Sequence, residues 1–190
     1  KNTGELVGED GSGASASALH AAWSSLTYGK IAGKETLIWG GTDGFCYGYP
    51  NKTEKDADGY DLFMPSWKVD CNEPEYRIDK DGKKVPYATP PGPSELIGTP
   101  VLYEEKVYVA IGQDPEHGDG VGRLSCIDAK NGEVVWKYTD VGRTISTVSV
   151  HDDLVYVAEY AGLIHCLDAN DGKLYWTYDS FSRIWGSTLV

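Results

Sequence analysis

The sequence predicts an all-β chain made of a repeated four-stranded unit, and three observations carry that prediction. Twenty-three glycines, thirteen tyrosines and six tryptophans beside a single methionine in 190 residues are the composition of many short strands joined by tight turns. Residues 122–138 (GRLSCIDAKNGEVVWKY) lie over residues 162–178 (GLIHCLDANDGKLYWTY) at an offset of 40 with no gap. Runs such as LVYVAEY (154–160) alternate apolar and polar side chains, the period of a half-buried strand.

Seven of the seventeen overlaid positions are identical: Gly122 and Gly162, Cys126 and Cys166, Asp128 and Asp168, Ala129 and Ala169, Gly132 and Gly172, Trp136 and Trp176, Tyr138 and Tyr178. A forty-residue period built of short strands is the mark of a propeller blade. Four strands of about six residues cannot cover both faces of their own sheet, so the units must stack around an axis. The predicted fold is therefore a β-propeller segment of four-stranded antiparallel blades.

The third unit reads as an inner strand at 145–150, a turn at 151–153, a second strand at 154–160, a third at 163–168 and an outer strand at 173–179. Asn170, Asp171 and Gly172 supply residues that tolerate positive φ in the last hairpin. The second unit repeats the order with an inner strand at 96–103 and a second at 106–112, and residues 113–121 replace a two-residue turn before RLSCIDAKNGEVVW (123–136) resumes. A more diverged first unit runs through 23–31, 35–41, 45–50 and 66–71, with Trp67 in the place of Trp136 and Trp176. Residues 2–8 overlay 130–136 and predict the outer strand of a preceding blade; residues 183–190 look like the inner strand of a following one.

The expected organisation is thus an outer strand and linker over 1–19, blade one with an acidic insert over 20–71, and a proline-rich connection over 72–94. Blade two with its insert follows over 95–140, blade three over 141–181, and the opening of a further blade over 182–190. Three near-complete blades and two partial ones leave unpaired sheet edges, which proteins avoid. The segment is expected to belong to a larger ring of seven or eight blades, completed by further sequence or by another chain.

A formal charge of −12 and a pI near 4.6 repel a phosphate backbone, which excludes nucleic acid as a partner. No apolar run reaches the length of a membrane span. Cys46, Cys71, Cys126 and Cys166 include no Cys-x-x-Cys pair, so no zinc knuckle or haem attachment is written here. Buried free thiols are the favoured reading, with one disulfide open to an oxidising compartment.

The overlaid pattern, Cys-Ile/Leu-Asp-Ala-x-x-Gly-x-x-x-Trp, resembles the pyrroloquinoline-quinone (PQQ) propeller repeat, in which the tryptophan docks against the neighbouring blade. Segments 112–122 and 20–29 also resemble parts of the large PQQ-like propellers of planctomycete-type bacteria. The resemblance implies blade-docking roles for Trp67, Trp136 and Trp176, with Asp128, Asp168, Gly132 and Gly172 shaping the turns that receive them. It also implies a periplasmic or otherwise extracytoplasmic location. Family members that are quinone-dependent dehydrogenases use Ca²⁺, a catalytic Asp and often a vicinal disulfide. No two cysteines here are adjacent, and no catalytic residue can be carried over.

Two loops hold candidate metal ligands. In the blade-two insert, Asp114, Glu116, His117 and Asp119 bring three carboxylates and an imidazole within six residues, and could gather a divalent cation. A solvated acidic loop is the alternative, and the favoured one. In the blade-one insert, Glu54, Asp56, Asp58 and Asp61 alternate and flank Gly59 with a calcium-loop rhythm, but Pro65 stands where a bidentate Glu would close the site.

No bound cofactor is expected from these blades: Ca²⁺ is an option at the acidic loops, and PQQ only with blades beyond this sequence. The function read from the sequence is a non-catalytic scaffold or binding module. Rim loops 50–65, 72–94 and 113–121 would meet a protein or polymer partner, since insertions in repeat proteins cluster on one binding face. Part of a PQQ-dependent alcohol or sugar dehydrogenase is one alternative. A cofactor-free subunit of a larger redox complex is another.

Overall fold

A computed structural model of the chain describes residues 3–117 and 120–190. Three antiparallel four-stranded sheets carry the fold, each with its strands in sequence order from inner to outer. Blade one pairs Thr27–Ile31, Lys34–Gly40, Phe45–Pro50 and Trp67–Asp70. Blade two pairs Val101–Tyr103, Lys106–Ala110, Leu124–Asp128 and Val134–Tyr138. Blade three pairs Ser149–His151, Leu154–Ala158, Leu163–Asp168 and Leu174–Asp179.

The inner hairpins turn through Ala32 and Gly33, Glu104 and Glu105, and Asp152 and Asp153, all with positive φ. That is the two-residue turn whose twist matches the flanking strands. The outer hairpins use a longer turn. Asp128 accepts the Lys130 N–H on its carboxylate (2.8 Å) and the Gly132 N–H on its carbonyl (2.9 Å). Asp168 does the same with Asn170 and Gly172. Each outer pair then shifts register by a bulge, at Cys126/Ile127 and Cys166/Leu167.

The core lies between the blades and not within any one of them. Alternation along the second strand of blade two sends Val107, Val109 and Ile111 toward blade one, where they meet Ile38, Cys46 and Trp67. Tyr108 and Ala110 point the other way, toward Val155, Val157 and Leu167 of blade three. Trp67 seals the first interface: its Nε1 donates to the Ala129 carbonyl (3.0 Å), and its ring lies on Gly132. Trp136 repeats the contact on Ala169 (3.0 Å) and Gly172.

Two expectations are corrected here, and a third, the docking of Trp176, depends on a turn of a further blade. Trp176 occupies the third docking position but meets no turn; no described residue offers one opposite it, and the side chain is 47% exposed. Residues 3–8 form no strand. The first paired residues, Glu9 and Asp10, run parallel to Leu62 and Phe63 of the blade-one insert, because an outer strand needs a third strand of its own blade to pair with. Asn2 lies outside the described residues.

The inserts also do not share one face. In an antiparallel sheet successive connections alternate between the two rims. The insert 51–66 joins third to outer strand, whereas 72–94 joins blades and 113–121 joins second to third. The last two therefore share a rim, and 51–66 belongs to the opposite one.

Segment 72–94 is not wholly irregular. Pro74–Arg77 forms one helical turn, and Arg77 clamps Asp70 with Nε and Nη2 (2.5 and 2.7 Å) while reaching the Asp43 carbonyl. The segment is thereby tied to the end of blade one.

Candidate functional site at the axial mouth

A ladder of side-chain bonds sets the inner strands in register around the axis. The Ser25 N–H donates to Thr99 Oγ1 (3.3 Å), the Thr99 N–H to Thr147 Oγ1 (2.9 Å), and the Thr147 N–H to Ser187 Oγ (3.0 Å). One position further, Thr27 Oγ1 bonds the Pro100 carbonyl and Ser149 Oγ the Thr188 carbonyl. Residues 186–188 thus run beside blade three in the register that each inner strand takes beside its neighbour.

Two residues before the ladder, this register brings Trp23, Ile97, Ile145 and Trp185 to equivalent places. They wall a cavity of about 290 Å³ whose lip is Asp114, Pro115 and Glu116 of the blade-two insert. Trp23 and Trp185 are 52% and 64% exposed, so the mouth is an open aromatic surface.

Three segments build the lip. In the blade-two insert Asp114 opens a 3-10 turn over Pro115–His117, its carboxylate accepting the Glu116 N–H (2.8 Å). Gln113 ties the insert to the connection, its amide donating to the carbonyls of Thr89, Gly92 and Pro93. Arg143, almost wholly buried, donates to the carbonyls of Asp114 and Pro115 and lies over the Tyr160 ring. Arg183 also lies over Tyr160, and Tyr160 meets Trp185 edge-on.

Glu95 sits where the three segments converge. Tyr87 of the connection donates to Glu95 Oε1 (3.1 Å) and accepts the Asp114 N–H (3.2 Å) on the same hydroxyl. His20 Nδ1 is 3.9 Å from Glu95 Oε1, and its ring stacks between Trp23 and Tyr87. His117 meets both His20 and Tyr87 edge-on. Burial pushes the Glu95 carboxyl up to about 7; the Tyr87 bond opposes the shift and the Asp114 charge adds to it.

A second buried acid joins blades two and three. Glu159 accepts His165 Nε2 (2.7 Å), and His165 Nδ1 faces Tyr138 of blade two (3.2 Å). Burial raises the Glu159 carboxyl, but the His165 bond and the Gly142 N–H outweigh it and hold the acid below its ordinary value.

The metal-ligand candidates do not gather. Among the described residues no group of three or more His, Cys, Asp and Glu could hold an ion. In the blade-one insert, Glu54 faces Leu62 and Lys55 faces Asp61, so register puts Glu54 and Asp61 on opposite faces of the hairpin. Asp56 caps the N–H groups of Asp58 and Tyr60, and Lys55 pairs with Asp61. In the blade-two insert Asp114 is engaged by Glu116 N–H, Glu116 is exposed and His117 turns into the aromatic cluster; Asp119 lies outside the described residues.

His20, Trp23, Tyr87, Glu95, Arg143 and Trp185 were missed by the sequence reading. Laying the inner strands over one another would have aligned 23, 97, 145 and 185. Nothing in the sequence would have brought Tyr87 to Glu95.

Fold and register define the class: a segment of a β-propeller with inserts on both rims. Residues 120–190 match the family described as outer membrane protein assembly factor BamB, which agrees with a PQQ-like propeller repeat over that part of the chain. No curated protein matches the sequence.

Among solved structures it resembles BamB from Moraxella catarrhalis, with a TM-score of 0.55 at 14% identity over 81% of this chain and 38% of that one. It also resembles a quinohemoprotein alcohol dehydrogenase from Pseudomonas putida (0.53, 14%, covering 76% of this chain and 25% of that one). A third is a europium-containing methanol dehydrogenase (0.56, 14%, covering 86% and 36%). The chain therefore spans between a quarter and two fifths of the structures it matches, and the likeness is one of fold.

Proposed function

We propose that this chain is a non-catalytic part of a PQQ-like propeller, a binding module that meets a protein partner at the rim of the axial mouth in an extracytoplasmic compartment. The observation that carries the reading is the dressing of that rim. The N-terminal segment, the connection 72–94 and the blade-two insert meet at Glu95 and frame a mouth walled by exposed Trp23 and Trp185. Large aromatic rings in an open recess with a polar rim are the composition of a protein contact. Among the described residues, no helix is long and apolar enough to cross a membrane.

The fit to a calcium-bound quinone is poor among the described residues of this mouth. Asp114 is engaged by a backbone N–H, Glu95 is closed in under Tyr87, and the four cysteines are free thiols buried in the blade core. A dehydrogenase site would have to come from other blades of the ring.

The test is site-specific photocrosslinking in the full-length protein, with the probe at Glu116 or Trp185 on this rim and at Asp58 on the other. A protein adduct from the first pair and none from Asp58 supports the reading. Adducts from Asp58 alone, or a Ca²⁺-dependent quinone with alcohol-dependent dye reduction, overturn it.

A further inference from the structure

Glu95 is fully buried, yet only one of its carboxyl oxygens has a partner. Oε1 takes the Tyr87 hydroxyl, and Oε2 has no protein donor. A buried carboxylate with one oxygen left without a donor is costly, whereas the neutral acid places its proton on that oxygen and removes the charge. This group is also the point at which three segments, remote in sequence, are joined.

We propose that Glu95 is a pH-sensitive clasp: with its proton on, it holds residues 113–117 against the connection around Tyr87 and the N-terminal segment around His20, and on ionising it lets that insert lift from the axial mouth. The chemistry is a simple acid dissociation, the proton passing to water by way of the partly exposed His20 side of the cluster.

Every element packed on Glu95 bears on the balance. The N-terminal segment contributes His20, at 3.9 Å, and Trp23, whose side-chain bond favours the ionised form as that of Tyr87 does. The connection contributes Tyr87, whose hydroxyl favours the ionised form by donating to it. The insert contributes Asp114, a like charge that disfavours ionisation, and His117 through its ring contacts with His20 and Tyr87. Glu95's own segment contributes the paired backbone bonds with Gly112 (2.9 and 3.0 Å), which do not titrate. Arg143 holds the carbonyls of Asp114 and Pro115 in either state, so release is a loosening of the insert and not its unfolding.

The sign follows from linkage. The closed state binds the Glu95 proton more tightly than the open one, so closure is strongest at low pH. It weakens as pH rises from the ordinary carboxylate value, 4.5, and levels off above about 7, where both states are ionised. The open-to-closed ratio grows by up to about tenfold per pH unit inside that window.

Hydrogen exchange of the full-length protein, read on peptides covering 112–117 between pH 4.5 and 8.5 and corrected for intrinsic exchange, tests this directly. The expected result is opening that rises to about pH 7 and then flattens, with Glu95→Gln protected and flat throughout. Tyr87→Phe removes a donor to the ionised form and should move the plateau to higher pH. A flat wild-type profile overturns the proposal, as does a Glu95→Gln profile that follows the wild type. Should Glu95→Gln fail to fold, the wild-type and Tyr87→Phe profiles still decide. The clasp concerns regulation of the rim proposed above and rests on that reading for its purpose. The exchange is read without any partner, so loss of the crosslinks and loss of the pH profile are separate outcomes.

Discussion

The indole N–H of Trp136 donates to the carbonyl oxygen of Ala169 in the next blade at 3.0 Å, and that of Trp67 donates to Ala129 at the same distance. In both cases the ring lies on the glycine three residues after that alanine, Gly172 or Gly132. A single turn, Asp-Ala-x-x-Gly, thus presents an acceptor and a flat seat to the preceding blade.

Replacing Trp67 by Ala should cost ~3–5 kcal/mol, since it empties a closed seat in the core. Trp136→Ala should cost somewhat less because its ring is only partly buried. Trp176→Ala should change the 190-residue chain by less than about 1 kcal/mol, as expected of an exposed site. Urea denaturation of the three variants measures the order. A large loss for Trp176→Ala in a longer form of the protein would reveal a further turn seated on it.

Gly132 and Gly172 lie at φ +79° and +74°, and a Cβ there would come within 2.9 Å of Trp67 and 2.6 Å of Trp136. Each Gly→Ala change should cost at least the ~1–2 kcal/mol of a left-handed non-glycine residue. A quenched-to-exposed change in tryptophan fluorescence should accompany it. Variants as stable as the wild type would contradict the seat.

The Glu159–His165 pair makes stability fall in acid. Its carboxyl is held below the ordinary value of 4.5 in the folded chain, so the stabilisation is complete above that pH and disappears as pH falls through the lower folded value. A melting-temperature profile from pH 3 to 7 should show the loss, and Glu159→Gln should flatten it while lowering stability at neutral pH.

The thiols should be silent toward reagents. All four are buried, and burial pushes Cys71 up to about 12 and Cys126 up to about 11. The thiolate is the reactive form, so a disulfide reagent at pH 8 should modify all four only after denaturation. Rapid reaction of the folded chain would mean that the blade interfaces open.

Calcium should have no effect on blade one. Asp56 caps its own turn and Asp61 pairs with Lys55, so chelation or millimolar Ca²⁺ should leave the melting temperature unchanged. A calcium-dependent rise abolished by Asp58→Asn would restore the loop as a site.

Strand order, blade count and the docking role of Trp67 and Trp136 were legible because they rest on local rules: alternation along 154–158, positive-φ turns, and a pattern repeated at a step of forty. The same rules could not place the inserts. Glu54, Asp56, Asp58 and Asp61 have a calcium rhythm in one dimension, yet hairpin register puts Glu54 and Asp61 on opposite faces. Nor could they seat Trp176, whose burial depends on a turn in another blade.

By itself the sequence determined an all-β chain of stacked, tryptophan-bearing blades, because periodicity and turn chemistry act within a few residues. Only the tertiary structure decided that Glu95, Tyr87, His20 and His117 share one site, that Trp23 and Trp185 line one recess, and that the inserts divide between two rims. Those relationships follow from how inner strands pack around an axis, and the residues involved are too far apart in the chain for any spacing to encode them.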